Sequence, residues 1–194
     1  NGETNRTVIT FVGEPDAVLE GAFQLVVAAR RLIDMREHHG AHGRMGAVDV
    51  CPFVPVAGVT MDDCVELANR LGKRVGEELS LPDYLYEVAA TRPERRSLAD
   101  LRNGEYEALP TKLEDPDFAP DYGPADFDPE FGAMVIGARK FLVAYHVNLN
   151  VTDKRWANRV AFDVREKGRM VTGPDGKRAQ QPGMLKAVRG VGWY

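Results

Sequence analysis

Three of the chain's four histidines fall within five residues, in the stretch 37–50, "EHHGAHGRMGAVDV". An imidazole titrates near neutral pH, so it can take a proton and return it within one reaction cycle. Gly40 and Gly43 let backbone approach a ligand closely, and Arg44 carries the fork that grips a carboxylate. The same residues leave other readings open. His38 and His42 have the spacing of two metal ligands on one helical face, but the glycines between them disfavour a helix and the HExxH glutamate is absent. A zinc site needs a third ligand, and the nearest cysteine, Cys51, lies in a strand-like run. Solvated loop histidines are the third reading. No GxSxG, P-loop or GxGxxG pattern supports acyl-enzyme or nucleotide chemistry.

A second stretch with chemical character is 114–132, "EDPDFAPDYGPADFDPEFG". It holds seven acids, no Lys or Arg, four prolines and four aromatics. Structureless loops of this length are uncommon in compact domains, so it reads either as a solvated linker or as a functional loop. Its regular aromatics, Phe118, Tyr122, Phe127 and Phe131, favour the loop, because disordered segments are aromatic-poor.

The elements that must position these residues follow from periodicity. Residues 7–12 read as a strand, and 14–37 as a helix with Asp16 available as N-cap and Val18, Ala22, Leu25, Ala29 and Leu32 on one face. A strand over 47–56 carries Pro52 and Pro55, which suit an edge or a bulge. Thr60 and Asp63 form a capping-box pattern opening a helix with Cys64, Leu67, Ala68, Leu71 and Val75 on one stripe. Residues 83–89 read as a strand. Short helices are expected near 97–102 and 105–113. Residues 139–150 read as the strongest strand, followed by a helix capped by Thr152 and Asp153 that places Trp156, Val160 and Val164 on one face. A basic Gly/Pro loop over 169–183 and a last strand over 185–194 complete the pattern. The fold class is α/β, with α+β layering and helices covering one face of a sheet.

Composition bounds the function. The chain has 194 residues, is 44% hydrophobic and 28% charged, and carries a formal net charge of −4. That charge gives no support for a nucleic-acid partner. No apolar run reaches the roughly 18–20 residues that span a bilayer, so no membrane partner is expected. Two cysteines, Cys51 and Cys64, read as buried thiols in a reducing, cytoplasmic compartment. The Asn-x-Thr triplets at Asn5 and Asn150 read as chance rather than as glycosylation sites.

Six blocks taken together resemble the glutamate formiminotransferase family: Thr4-Asn5-Arg6-Thr7, "GAHGRMGAVDVCPFVPV" (40–56), "PDYLYEVA" (82–89), "LRNGEYEAL" (101–109), "PDYGPADFDPEFGA" (120–133) and "GARKFLVAYHVNLN" (137–150). They cover nearly the whole chain in order. The resemblance implies transfer of the formimino group from N-formimino-L-glutamate to tetrahydrofolate, giving 5-formiminotetrahydrofolate and glutamate, with tetrahydrofolate as co-substrate and no metal. Free or polyglutamylated folate and formiminoglutamate would be the small-molecule partners, and a homodimer the assembly. The family's catalytic histidine block, H-P-R-M-G-A, falls on His42, which implies that His42 is the base. The folate-binding segment falls on Gly123, Pro124, Ala125, Asp126, Phe127, Asp128, Pro129, Glu130, Phe131 and Gly132. Within it, Phe127 and Phe131 are the candidates to stack on a flat ring, by aromatic character alone. Arg44 and Arg139 are the expected partners of substrate carboxylates. The implied architecture is two ferredoxin-like α/β subdomains: residues 1–135, lacking a first strand and helix, and residues 136–194, the start of a second subdomain. Gly43 stands where the family usually has proline, and His146 where asparagine is expected. The alternative is a non-catalytic folate- or anion-binding homologue of the same fold.

Overall fold

A computed structural model describes residue 2 and residues 4–192. The chain separates into two compact units, Asn1–Leu142 and Val143–Tyr194. Helix and strand are mixed throughout.

The first unit is built on three short strands, β1 (Val50–Phe53), β2 (Asp83–Glu87) and β3 (Met134–Ala138). All pairings are parallel, and β3 lies in the middle, between β1 and β2. Because β1 is an edge strand, Pro52 can sit in it without removing a donor that the sheet needs. The central strand β3 was hidden in the sequence. Its "MVIGA" follows the acidic stretch directly, without polar alternation, as strands buried on both faces do.

Alternation through β2 and β3 explains the layers. Leu85, Met134, Ile136 and Ala138 face a core formed with α1 (Pro15–Leu32) and α2 (Met61–Leu79). Tyr84, Tyr86 and Val135 face the opposite way, into a second core with Met45, Leu101, Leu109 and Leu113. Leu101 ends α3 (Leu98–Leu101), and Leu109 and Leu113 bound α4 (Leu109–Leu113). The sheet is therefore covered on both faces, not on one. The second cover comes from the stretch after residue 92, where the short helices expected near 97–102 and 105–113 are present as α3 and α4; that they pack on the other face of the sheet is not encoded in local periodicity.

The capping box at the start of α2 is present. Thr60 accepts from the Asp63 amide at 3.2 Å, and the Asp63 carboxylate accepts from the Thr60 amide at 2.7 Å. The predicted stripe of α2 is its buried face. Helix α1 is shorter than 14–37, with Glu14 as N-cap and Pro15 at its first position; Asp16 sits in its first turn. Leu32 is exposed, because the buried stripe runs through Leu19, Ala22, Phe23, Val26 and Ala29.

The acidic stretch is ordered. Asp121 accepts from the Leu85 amide at 2.8 Å and pairs with Arg95 at 2.5 Å, and both side chains of that ion pair are buried. Arg95 also donates to the Ala119 carbonyl, and Arg92 to that of Asp117. Further along, Tyr122 and Gly123 cross α2 at Gly72 and Gly76, where a side chain on Gly76 would meet the Gly123 amide nitrogen at 2.4 Å.

Residues 7–12 and 139–150 run extended but in no ladder among the described residues, and many of their apolar side chains are exposed. β-propensity needs a neighbouring strand to become a strand. In the second unit, α5 (Lys154–Val164) is capped by Asp153, which accepts from the Arg155 amide. Where a basic loop was expected, β4 (Arg169–Thr172) and β5 (Arg178–Gln181) form an antiparallel hairpin. Its turn, Gly173-Pro174-Asp175-Gly176, carries the proline and glycine that such turns demand. No strand is present over 185–192, and Trp193 and Tyr194 of the expected last strand lie outside the described residues.

Candidate active site

The loop that carries the histidines leads directly into β1, and the acidic stretch leads directly into β3. Parallel neighbours bring both loops to the amino ends of the strands. The contact is close: Gly46 and Gly132 form an antiparallel bridge, the Ala47 amide donates to the Phe131 carbonyl, and the Ala133 amide donates to that of Met45. Gly132 has φ +80°, and a side chain there would meet the Met45 carbonyl at 2.3 Å, so only glycine permits this approach.

Thr4 to Arg6 lie against the histidine loop. The Asn5 amide donates to the His39 carbonyl at 2.9 Å and contacts His38 Nδ1 at 3.1 Å. The Arg6 guanidinium Nη1 stands 2.5 Å from His42 Nδ1 and 3.0 Å from Nε2. His42 Nδ1 also lies 2.7 Å from the Gly43 carbonyl. Behind them sits Asp49, paired with Arg6 at 3.3 Å and Arg102 at 2.6 Å while accepting from the Met45 amide at 3.0 Å. Partial burial, followed by the positive charges of Arg6 and Arg102, holds the His42 pKa below the ordinary histidine value, although the Gly43 hydrogen bond and Asp49 pull it upward. The neutral form of His42, which can accept a proton, is thereby favoured.

The three histidines are not equivalent. Only His42 meets the arginine and carboxylate cluster. Among the described residues, no group of three or more His, Cys, Asp or Glu side chains is placed to hold a metal ion.

Arg44 is turned toward other partners. It makes a two-pronged pair with Glu107 at 2.7 and 2.8 Å, a second contact with Glu105 at 3.3 Å, and lies 5.5 Å from the centre of the Tyr106 ring. Tyr106 in turn packs against Phe127 with ring centres 5.4 Å apart. Arg139 follows β3 at its carboxyl end, its amide donating to the Phe53 carbonyl. A five-residue strand spans about 16 Å, which separates Arg139 from His42 by the depth of the sheet.

Within 123–132, the structure assigns most residues local partners. Gly123 has φ +79° and packs on Leu81 and α2. Asp128 lies 3.7 Å from Arg30, Glu130 pairs with Arg36 at 3.0 Å, and the Pro129 carbonyl accepts from the Tyr106 hydroxyl. Phe131 is only 1% exposed and belongs to the α1/α2 core, so it has no face to offer a ligand. Phe127 is half-buried, Pro124 is partly covered, and Ala125 and Asp126 are exposed. Arg6, Asp49 and Arg102 were not singled out from the sequence. The one local signal is Asp49, a charge interrupting "AVDV" at the entrance to a buried sheet.

Comparison with known proteins places the chain. Residues 1–139 match the formiminotransferase domain, N-terminal subdomain, and residues 144–194 match the formiminotransferase domain. The chain belongs to the formiminotransferase domain family. It is 54% identical over 191 residues to the formimidoyltransferase-cyclodeaminase of Rattus norvegicus, a match covering 98% of this chain and 34% of the relative. It is 47% identical over 164 residues to the glutamate formimidoyltransferase of Streptococcus pyogenes serotype M1, covering 84% of this chain and 55% of the relative. It is also 47% identical over 165 residues to that of Thermoplasma acidophilum, covering 84% and 54%. The chain thus spans about a third of the length of the formimidoyltransferase-cyclodeaminases it matches.

Proposed function

We propose that this chain carries the formimino-transfer site of a glutamate formimidoyltransferase, passing the formimino group of N-formimino-L-glutamate to tetrahydrofolate. The observation that carries this reading is His42: an imidazole whose neutral form is favoured, held against Arg6 on the loop that bridges to the segment entering β3. Relatives named for this reaction support it.

His42 acts as base and then as acid. It takes the proton from the attacking amine as that nitrogen bonds to the amidine carbon, and returns it to the departing glutamate nitrogen as the carbon–nitrogen bond breaks. One group neutral near pH 7 serves both transfers. Tetrahydrofolate supplies the amine. In the segment 123–132, the half-buried Phe127 ring against Tyr106 and the exposed Ala125 and Asp126 fit a flat heteroaromatic ring. Arg44 and Arg139 are the proposed partners of substrate carboxylates, their guanidinium forks suiting a two-pronged grip. No metal takes part in this reading.

The ferredoxin-like architecture is proposed for the parent domain on the family resemblance. Residues 1–135 and 136–194 remain the proposed subdomains. A homodimer and a cytoplasmic setting complete the proposal, the latter supported by two free thiols, Cys51 and Cys64.

The test is formimino transfer by the native-length protein and by His42→Ala. Loss of about 10²–10⁴-fold in kcat with folate affinity retained is expected. Undiminished turnover in the variant removes His42 from the role. Folate binding without turnover in the parent supports the non-catalytic homologue instead.

A further inference from the structure

We propose that Tyr106 is the positioning residue of Phe127: it holds that ring, and the turn behind it, ready for the flat ring of the folate, and it ties this segment to the loop carrying His42. The role in binding rests on the reading of 123–132 above; the hold on Phe127 itself does not.

Tyr106 touches the second half of the segment three times. Its ring packs on Phe127 with centres 5.4 Å apart and planes tilted by 55°. Its hydroxyl donates to the Pro129 carbonyl at 2.6 Å. Its edge borders Gly132, where a side chain would come within 3.1 Å of Cδ2. Residues 128–132 close a turn of their own. The Asp128 carboxylate accepts from the Glu130 amide at 2.9 Å, and the Asp128 carbonyl from the Gly132 amide at 2.7 Å. Tyr106 therefore lies along a preformed turn, and Phe127 is the last residue before it. Ahead of Phe127, Ala125 and Asp126 are exposed. The Phe127 ring thus stands where the fixed half of the segment meets the open half.

Tyr106 is itself held from the histidine loop. The two residues flanking it both pair with Arg44, Glu107 through both oxygens at 2.7 and 2.8 Å and Glu105 at 3.3 Å. The Arg44 guanidinium lies 5.5 Å from the centre of the Tyr106 ring. Glu105 has φ +57° and ψ −156°, a conformation nearly reserved for glycine. Such a residue persists only where its surroundings over-determine it. Here they are Arg44 on the flanking carboxylates and residues 127–132 on the tyrosine.

The chemistry of tyrosine suits this post, because its ring gives an aromatic contact and its hydroxyl a fixed hydrogen bond. A half-buried phenylalanine without such a neighbour samples several rotamers, and a ligand that stacks on it must arrest that motion. Tyr106 removes the freedom before the ligand arrives. Its effect therefore falls on affinity for the folate and not on the proton transfers at His42.

The experiment compares the native-length protein with Tyr106→Phe, Tyr106→Leu, Phe127→Leu and the Tyr106→Leu/Phe127→Leu pair. Tetrahydrofolate affinity is measured by equilibrium titration, and turnover with each substrate varied in turn. Tyr106→Phe loses one hydrogen bond and is expected to raise the tetrahydrofolate Kd and KM about fivefold, with kcat and donor KM held. Tyr106→Leu is expected to weaken tetrahydrofolate binding by about tenfold or more. The pair is expected to bind no more weakly than Phe127→Leu alone, because Tyr106 acts through that ring. Additive losses in the pair overturn the proposal, as does a Tyr106→Phe variant in which kcat falls or donor KM rises in step. Without ligand, NMR of fluorine-labelled phenylalanine reads the ring directly, with Phe127→Leu identifying its signal. That signal is expected to shift in Tyr106→Leu while those of Phe23 and Phe53, in the α1/α2 core, stay in place. An unmoved Phe127 signal overturns the proposal whatever the folate does. A moved signal in a protein that binds no tetrahydrofolate leaves the hold on Phe127 intact and removes the reading of 123–132 as a folate segment.

Discussion

At the scale of single residues, buried ionisable side chains behave in opposite ways. Arg95 and Asp121 are both almost fully covered and satisfy each other, with the Leu85 amide and Ala119 carbonyl as further partners. Removing one leaves the other charged and buried, so Arg95→Met is expected to cost about 3–5 kcal/mol, read as a fall in the urea midpoint. Asp83 has no such partner. Its carboxyl is fully buried, neither oxygen has a hydrogen bond among the described residues, and burial, reinforced by the Asp121 charge, raises its pKa well above the usual carboxylate range. The folded state therefore holds this proton more tightly than the unfolded chain does. The resulting stability is present below about pH 4 and is lost as pH rises toward the folded value. Asp83→Asn, which cannot ionise, should melt at nearly the parent temperature near pH 4 and increasingly above it toward pH 8. Parallel melting curves across that range would rule out ionisation of Asp83 as the cause.

At the scale of elements, the acidic stretch shows what sequence can and cannot carry. Its residue types pointed to a functional loop, and its order rests on partners distant in the chain, from Arg30 and Arg36 to Arg95, that no local pattern encodes. The notch that receives it is an instance: Gly72 and Gly76 lie one turn apart on α2, and Tyr122 and Gly123 fill the space their side chains would occupy. Helix propensity alone would count both glycines as faults. Gly76→Ala should cost about 1–3 kcal/mol by overpacking and weaken folate binding, through displacement of the segment that begins at Gly123. Equal folate affinity in that variant would separate the segment from the ligand. The helix α2 itself was legible, stripe and cap together, because its information is local. The strand β3 was not, because a strand buried on both faces lacks alternation, and Phe131 could not be told from Phe127 until the core was known. The misplaced strand at 139–150 has the converse cause: strong β-propensity, but no ladder among the described residues.

At the scale of the whole first unit, the placement of the site departs from a common expectation. In open parallel sheets, ligands usually gather at the carboxyl ends of the strands. Here the candidate site lies at the amino ends, while Arg139 lies at the carboxyl end. The chain also leaves a run of apolar side chains uncovered: Phe141 and Val143 are 72% and 88% exposed, and Tyr145 is 84% exposed. Exposed extended runs of this kind promote association. Light scattering by the chain should therefore rise with concentration, and Val143→Lys with Val147→Lys should reduce it.

The amino-end placement has one more consequence. The amides at and just before the start of β3 do not end in ordinary sheet partners alone: Ala133 donates to Met45, Met134 to Pro82 and Val135 to Asp49. Each reaches a loop that borders the candidate site or the acidic stretch. Amide exchange at these three positions thus reports how firmly those loops are shut. Ligand occupancy should slow it more than exchange at Ile136 or Ala138, which makes the centre of the sheet a built-in gauge of what happens at its rim.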